Sequence, residues 1–300
     1  MHISNMGKRG NDGNGSGGQN KKKFKVASGF LDPGTSGIYA SCSRRKERQA
    51  AQELGIFLEE KMEEYYKDEI EQLNKKDDEG SAVPGKEEEE EELSIEEQLN
   101  KELADMKKSD KSKTKDERKK DILKFIDVNC ECVIFCKTRR PIVPEDFIEK
   151  IMKDLSDPKD KMKRTRYIQK LTPITNSCSA SMDQLIKLAD EVLSPHFHTE
   201  DGRHDYKFAV EVSRRNFNTI EKMDIINQVV SQVGKGGKYQ HKVDLKNYDK
   251  LILVECFKNN IGMSVVNADY AKKYKKYNIQ KIFEDKFKDE KEIKPSTEAK

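Results

Sequence analysis

A long and highly charged stretch interrupts this chain of 300 residues and limits what the chain can fold into. Residues 59–102 carry 19 acidic and 6 basic side chains, and the sign of the charge reverses at Lys107, which opens a lysine-rich run. A segment of this composition cannot bury enough apolar surface to offset the entropy that is lost on folding. We therefore predict a disordered charged linker and a folded core of about two thirds of the chain.

Apolar patterns on the two sides of this stretch predict two parts of one domain. Residues 37–42 are typical of a short strand, Ser43 suits an N-cap position, and apolar residues then recur at helical spacing. Beyond the charged stretch, residues 127–136 predict a buried strand, and a helix is expected from Pro144 because proline and acidic residues suit a first turn. We expect these parts to fold together, with the linker as an insertion.

Strand and helix patterns alternate in the last part of the chain. The residues at 251–254 are continuously apolar, as in a central strand. An order of strand, helix, strand, helix, strand predicts a mixed α/β sheet with right-handed crossovers. The expected elements are strand 165–172, helix 181–193, strand 205–213, helix 219–233 and strands 251–257 and 261–266.

The predicted fold class is therefore α/β (α+β), with two folded domains. The first is an N-terminal ferredoxin-like domain that the charged linker interrupts, and the second is built on the mixed sheet. The expected division is a disordered basic arm at 1–27, the ferredoxin-like domain at 28–66 and 125–160, the disordered linker at 67–124, the mixed-sheet domain at 161–283 and a disordered tail at 284–300.

Basic charge is concentrated in residues 161–283, where 22 Lys and Arg stand against 13 Asp and Glu, although the net charge of the whole chain is only +3. This pattern is typical of a protein that binds a polyanion such as RNA. Arg214 and Arg215 follow the strand at 205–213, so we expect both to project from a sheet end toward phosphates; ordinary surface charge is the alternative. The candidate RNA-binding residues are Arg164, Arg166, Lys170, Arg214, Arg215, Lys235, Lys238, Lys272, Lys273, Lys275 and Lys276.

Two groups of these lysines allow a second interpretation. Tyrosines alternate with lysines between Tyr270 and Tyr277, either as a base-stacking surface or as an amphipathic helix that packs its tyrosines onto the domain. Residues 234–238 (GKGGK) follow a helix and lack the spacing of a phosphate loop. We interpret them as a helix C-cap with Gly234 at the cap, whose lysines could still contact RNA.

Cysteine and histidine patterns do not favour a metal site. Cys130, Cys132 and Cys136 are spaced so that one strand would turn all three to the same face, where buried thiols are the expected state. The spacing of His196, His198 and His204 matches no helix-borne ligand pair, and we expect a solvent-exposed loop there.

The sequence contains no motif that predicts catalysis. No nucleophile with a partner base follows a strand, so we predict no catalytic residues, no metal and no cofactor. It also lacks a transmembrane or secretory segment, so we expect a soluble intracellular protein with no membrane partner and no small-molecule substrate of its own. The lysine cluster at 21–25 has three interpretations: a nuclear import signal, a nonspecific RNA-contacting tail or a merely solvated run. The nucleus is the expected location, with the nucleolus and the cytoplasm as alternatives.

Four blocks of the sequence resemble a known family. Three of them resemble a THUMP domain, a module of tRNA-modifying proteins, and the fourth resembles the branch that serves as adaptor in tRNA cytidine acetylation. The THUMP-like blocks are 165–174 (TRYIQKLTPI), 206–216 (YKFAVEVSRRN) and 241–246 (HKVDLK), and the branch-specific block is 28–40 (SGFLDPGTSGIYA).

The resemblance implies a non-catalytic, tRNA-binding adaptor whose THUMP domain occupies 161–283. Such an adaptor presents tRNA to an RNA cytidine acetyltransferase for N4-acetylcytidine formation, and acetyl-CoA and ATP belong to that partner. A non-catalytic RNA and protein scaffold in ribosome assembly is the alternative. A preference for folded tRNA over other structured RNA separates the two functions.

Overall fold

Strands and helices form where the apolar periodicity of the sequence is regular. The computed structural model describes residues 26–28, 31–72, 121–160, 163, 165–200 and 205–292. The first half contains β1 (Val26–Ser28), β2 (Gly37–Cys42), α1 (Glu47–Tyr65), β3 (Leu123–Asp127), β4 (Val133–Thr138), α2 (Pro144–Leu155) and β5 (Ile168–Ile174). The second half contains β6 (Asn176–Ser179), α3 (Met182–Phe197), β7 (Lys207–Arg215), α4 (Lys222–Gly234), β8 (Lys242–Val243), β9 (Lys250–Phe257), β10 (Asn260–Asn267), α5 (Asp269–Lys272) and α6 (Ile279–Glu292).

The first sheet has the strand order β1-β3-β4-β2-β5. Its neighbours are antiparallel, except that β1 runs parallel to β3 at one edge. The succession β2-α1-β3-β4-α2-β5 with this order is the ferredoxin-like unit, so the predicted fold of this part is confirmed. Helices α1 and α2 cover one face of the sheet with the buried residues Ala50, Leu54, Leu58, Met62, Phe147, Ile148, Ile151 and Met152.

The strand that we expected at 165–172 in the second sheet belongs to the first one, and that expectation was wrong. It is β5, which pairs with β2 through Tyr39 opposite Thr172 and Ser41 opposite Lys170. Ile168 and Leu171 on β5 join the core beneath α1 and α2. Because β5 supplies the fourth strand of the ferredoxin-like order, it completes this domain rather than opening the next.

The single strand expected at 127–136 is in fact a hairpin of β3 and β4. Asn129 has a φ of +48° and its N–H donates to the Oδ1 atom of Asp127 at 2.8 Å, which turns the chain after β3. Cys130 and Cys132 lie in this turn and are half-buried, whereas Cys136 is buried in β4. The three cysteines therefore do not share a strand face, and all six cysteines of the chain are free thiols.

Several boundaries differ from the prediction. Val26 and Ala27, which we expected in the arm, lie in β1. The N-cap of α1 is Lys46 rather than Ser43. Residues 67–72 of the predicted linker are helical, residues 121–124 form a helical turn and the start of β3, and Ile70 is buried in the first core. The rest of the linker and of the arm lies outside the described residues.

The second sheet has the strand order β6-β10-β9-β7-β8. β7 runs parallel to β8 and β9, and β10 is antiparallel to β9 and β6. Helices α3 and α4 cover one face, where Leu185, Leu193, Val229 and Ile252 are among the buried residues. The mixed α/β sheet expected from the alternating pattern is thus confirmed.

The chain end returns to the first domain. Tyr270, Tyr274 and Tyr277 are 0%, 3% and 2% exposed and join the core of α1 and α2 together with Ile279 and Ile282 of α6. Helix α6 extends to Glu292, so residues 284–292 are not the disordered tail that we expected. The tyrosines pack onto the protein because an apolar core is available to them, and the base-stacking interpretation of this segment was wrong.

The two sheets are joined directly where β5 leads into β6. The Ser264 hydroxyl donates to the Pro173 carbonyl at 2.7 Å, and the Gly34 N–H donates to the Ser177 carbonyl at 2.7 Å. A Cβ atom on Gly262 would lie 2.9 Å from Ile174, so this glycine permits the close approach of β10 to β5. No helix among the residues that the structure describes is long and apolar enough to cross a membrane.

Candidate nucleic-acid interface

A groove lies where the helix-free face of the first sheet meets the ends of β7 and β9. Strand side chains alternate between faces, so Tyr39, Ser41 and Lys170 share the helix-free face, and Arg215 approaches it from β7. We name this site the junction groove. It holds a cavity of about 70 Å³ lined by Tyr39, Ala40, Ser41, Val133, Lys170, Thr172, Ser213, Arg215, Glu255, Cys256 and Phe257.

A larger cavity of about 450 Å³ adjoins the junction groove and shares Phe257 with it. Its wall includes the segment after β1, the turn between β3 and β4 and the turn between β9 and β10. Lys258 Nζ closes one side by donating to the Val128 carbonyl at 2.9 Å. Both domains therefore line this larger cavity as well as the junction groove.

Two cations and one half-buried carboxyl group meet in the junction groove. Lys170 and Arg215 act electrostatically on Glu255, which also accepts a hydrogen bond from Ser213. Burial nevertheless raises the pKa of Glu255 above its ordinary value, because desolvation outweighs these contacts. The Tyr39 hydroxyl is buried without a hydrogen-bond partner among the described residues, and burial also raises its pKa.

Arg214 and Arg215 do not form the paired platform that we predicted. They are successive strand residues, so their side chains leave opposite faces of the second sheet. Arg214 lies on the helix side, where Nη1 donates to the Ile220 carbonyl at 3.3 Å and lies 3.7 Å from Glu221. Only Arg215 reaches the junction groove.

Two other candidate arginines precede β5. Arg166 is exposed, and its guanidinium lies 5.5 Å from the ring of Tyr167. Arg164 lies outside the described residues. Lys170 follows four residues after Arg166, and its Nζ atom is 5.8 Å from the buried ring of Tyr270. Arg166 thus lies just before β5, the strand that carries Lys170 into the junction groove.

The candidate lysines after α4 lie elsewhere on the second domain. Lys235, rather than Gly234, takes the left-handed C-cap position with a φ of +40°, and its Nζ pairs with Asp190 at 2.8 Å. Lys238 is exposed, and its Nζ lies 5.4 Å from the Tyr239 ring. Neither lysine lines the junction groove.

The lysines near the chain end are partly engaged within the protein. Lys275 pairs with Asp285 at 2.9 Å, and Lys276 pairs with Glu211 at 2.8 Å. Lys272 and Lys273 are exposed, and Lys273 lies over the buried Tyr274. These four lysines present charge without the exposed aromatic rings that base stacking requires.

The histidines near the end of α3 have structural contacts, contrary to the exposed loop that we expected. His198 Nε2 lies 3.1 Å from the Val233 carbonyl, and burial lowers the pKa of His196 to about 4. His204 lies outside the described residues. No group of three or more His, Cys, Asp or Glu in the described part of the chain could hold a metal ion.

Sequence reasoning missed the polar residues that complete the junction groove, which are Tyr39, Ser213 and Glu255. Each occupies a strand whose pattern we interpreted only for its apolar side. The alternation of Ser213 with the apolar Val212, and of Glu255 with Val254, was the available signal. The sequence of a single strand could not predict that the two sheets would meet at this groove.

Comparisons with known proteins cover both domains. A THUMP domain model matches residues 179–266, which extend from the end of β6 into β10. The tRNA acetyltransferase TAN1 of Saccharomyces cerevisiae is 60% identical over 286 residues, covering 94% of this chain and 96% of that protein. An uncharacterized protein of Schizosaccharomyces pombe is 32% identical over 87% of this chain and 80% of its own length. The THUMP domain-containing protein 1 of Homo sapiens is 27% identical over 84% of this chain and 65% of its own length.

Proposed function

The chain belongs to the THUMP domain family of tRNA acetyltransferase TAN1, and from this premise we propose that it binds tRNA and presents it to an RNA cytidine acetyltransferase for N4-acetylcytidine formation. The observation that carries the proposal is the convergence of Lys170 and Arg215, from two different sheets, on one groove. Both cations stand on strands, so RNA phosphates meet a surface that is already positioned.

The groove has the composition of a phosphate-binding surface. Lysine and arginine supply charge, and the hydroxyls of Ser41 and Thr172 can donate to phosphate oxygens. These contacts do not read the base sequence and would recognise the shape of the RNA backbone. Recognition of a folded tRNA, rather than of a short sequence, fits this set of groups.

The titratable groups of the junction groove support a role in which a partner protein carries out the acetylation. The half-buried Glu255 and the buried Tyr39 are titratable oxygen groups of the groove, and desolvation raises the pKa of both. A tyrosine in that state keeps its proton and is a poor general base. In this proposal acetyl-CoA and ATP are bound by the acetyltransferase, and this chain supplies tRNA affinity and orientation.

The proposal is tested by incubating purified protein with tRNA and acetyl-CoA, with and without the acetyltransferase and ATP, and measuring N4-acetylcytidine after digestion to nucleosides. We expect product only when the acetyltransferase is present, and more of it when this chain is added. Product formed by this chain alone would make it an enzyme. Equal affinity for tRNA and for a structured ribosomal RNA fragment of the same length would favour the scaffold function instead.

A further inference from the structure

A short basic loop continues from the wall of the junction groove. Between β2 and α1 the chain carries Arg44, Arg45 and Lys46, Arg48 follows in the first turn of α1, and all four side chains are exposed. We name residues 43–48 the basic loop. Its residues are not among the candidate RNA-binding residues predicted from the sequence, because they lie outside the region of concentrated positive charge.

Backbone hydrogen bonds fix the basic loop beside the groove. The Ser43 N–H donates to the Tyr167 carbonyl at 2.9 Å, next to the exposed Arg166. Two residues earlier, Ser41 lines the groove opposite Lys170. The basic loop is therefore held next to Arg166, and β2 leads from it back to the groove that Lys170 and Arg215 line.

Three carboxylates lie near this charge, and two of them, Glu47 and Glu53, accept hydrogen bonds from backbone N–H groups. Arg44 Nε lies 3.2 Å from Glu131 with both side chains exposed, and Glu47 accepts a hydrogen bond from the Cys132 N–H at 2.9 Å. Among the residues that the structure describes, no ion pair involves Arg45, Lys46 or Arg48. Their charges are available to a polyanion.

The cations of the basic loop do not stabilise the start of α1. Helix α1 starts at Glu47, and its dipole places partial positive charge at that end, which disfavours neighbouring cations. Lys46 occupies the N-cap position but makes no side-chain cap hydrogen bond. Residues that oppose local stability commonly serve binding.

From this arrangement we infer that the basic loop is a second phosphate-binding surface, which extends the path of RNA from the junction groove across the ferredoxin-like domain. The inference rests on the proposed tRNA binding and adds the residues Arg45, Lys46 and Arg48 to it. Continuity with the groove favours RNA phosphates over an acidic segment of a partner protein.

The test is a triple variant of the full chain, Arg45→Ala with Lys46→Ala and Arg48→Ala, titrated with tRNA at several salt concentrations. Loss of about three phosphate contacts lowers the slope of log K against log salt by roughly 2, and affinity at 150 mM salt should fall by roughly tenfold or more. Thermal unfolding should occur at the same or a higher temperature, because cations leave the positive end of α1.

Matched controls separate position from total charge. Lys222, Lys242 and Lys246 are exposed and lie away from the groove. Replacing these three lysines by alanine should leave the slope of log K against log salt almost unchanged. Replacing Arg45 and Arg48 by lysine should retain most of the slope, since lysine keeps the charge.

Unchanged tRNA affinity and slope in the triple variant would overturn the inference, and so would equal loss in the control triple variant. Loss of acetyltransferase binding with tRNA binding intact would assign the loop to a protein partner instead. The groove variant Lys170→Ala with Arg215→Ala distinguishes failure of the proposed tRNA binding from failure of the role of the basic loop. If both the groove variant and the triple variant bind tRNA normally, the proposed function fails. If the groove variant loses tRNA binding and the triple variant keeps it, only the role of the basic loop fails.

Discussion

Arg214 and Arg215 are neighbours in β7, yet they act on opposite faces of the second sheet. Arg214 donates to the Ile220 carbonyl on the helix side, while Arg215 lines the junction groove beside Glu255. Two identical side chains one residue apart therefore have different expected roles, one in the conformation of the loop before α4 and one in RNA binding.

Single substitutions should separate these roles. Arg215→Ala removes one phosphate contact, so the slope of log K against log salt should fall by about 0.7 to 0.9 with little change in thermal stability. Arg214→Ala removes a hydrogen bond to a backbone carbonyl, which typically contributes about 1 kcal/mol to stability, and should leave RNA binding intact. Equal effects of the two variants on tRNA affinity would contradict the assignment.

Glu255 should make stability depend on pH. Burial raises its folded-state pKa above the ordinary value of 4.5, so the folded protein holds this proton more tightly than the unfolded chain. The resulting contribution to stability is complete below pH 4.5 and is lost as the pH rises through the folded pKa. Relative to the wild type, Glu255→Gln should therefore gain stability between pH 4.5 and pH 8, as measured by thermal unfolding.

The same variant has a second readout. Because Glu255→Gln removes negative charge beside Lys170 and Arg215, tRNA affinity at pH 8 should rise. A pH profile of stability that is identical in wild type and variant would contradict the raised pKa. Lower tRNA affinity in the variant would show that the carboxylate does not oppose phosphate binding.

Tyr277 should contribute to stability and not to base stacking. It is 2% exposed, and its ring lies 4.8 Å from that of Tyr270 in an edge-to-face contact. Tyr277→Ala should cost about 3 to 5 kcal/mol of unfolding free energy, as for other large aromatic residues removed from a core. Tyr277→Phe keeps the ring and is the control. Loss of tRNA affinity at unchanged stability would revive the base-stacking interpretation.

The charged linker should be dispensable for folding. The composition of residues 76–118 cannot support burial, and loop length contributes little once a folded core holds both ends. Replacing them with a short Gly and Ser loop should leave the melting temperature within about 10 °C of the wild type, a range that covers several kcal/mol for a domain of this size. A larger decrease of the melting temperature, measured without denaturant, would show that residues 76–118 pack against the folded core.

Local periodicity was sufficient to predict most elements but not their partners. Leu54, Leu58 and Met62 recur at helical spacing and are buried in α1 as expected. By contrast, β5 pairs with β2, which lies about 130 residues earlier, and no local pattern encodes such a pairing. A strand sequence specifies its two faces well and its neighbours poorly.

The candidate site shows the same division. The concentration of lysine and arginine indicated a polyanion-binding surface, and Lys170 and Arg215 lie together in the junction groove. Tyr270 and Tyr277 could not be assigned from sequence, because their spacing suits a core-facing helix as well as a stacking surface. Arg214 could have been separated from Arg215 by the two-residue period of a strand alone.

The measurement that tests the account most directly is a salt titration of tRNA binding by the groove variant Lys170→Ala with Arg215→Ala. Lys→Ala changes at 21, 22 and 23 in the arm serve as the control for nonspecific attraction. We predict that the groove variant loses its preference for tRNA over other structured RNA and lowers the slope of log K against log salt by roughly 1.4 to 1.8, whereas the arm variant lowers affinity for every RNA equally. If the arm variant loses as much tRNA preference as the groove variant, recognition does not lie in the junction groove and the central claim is wrong.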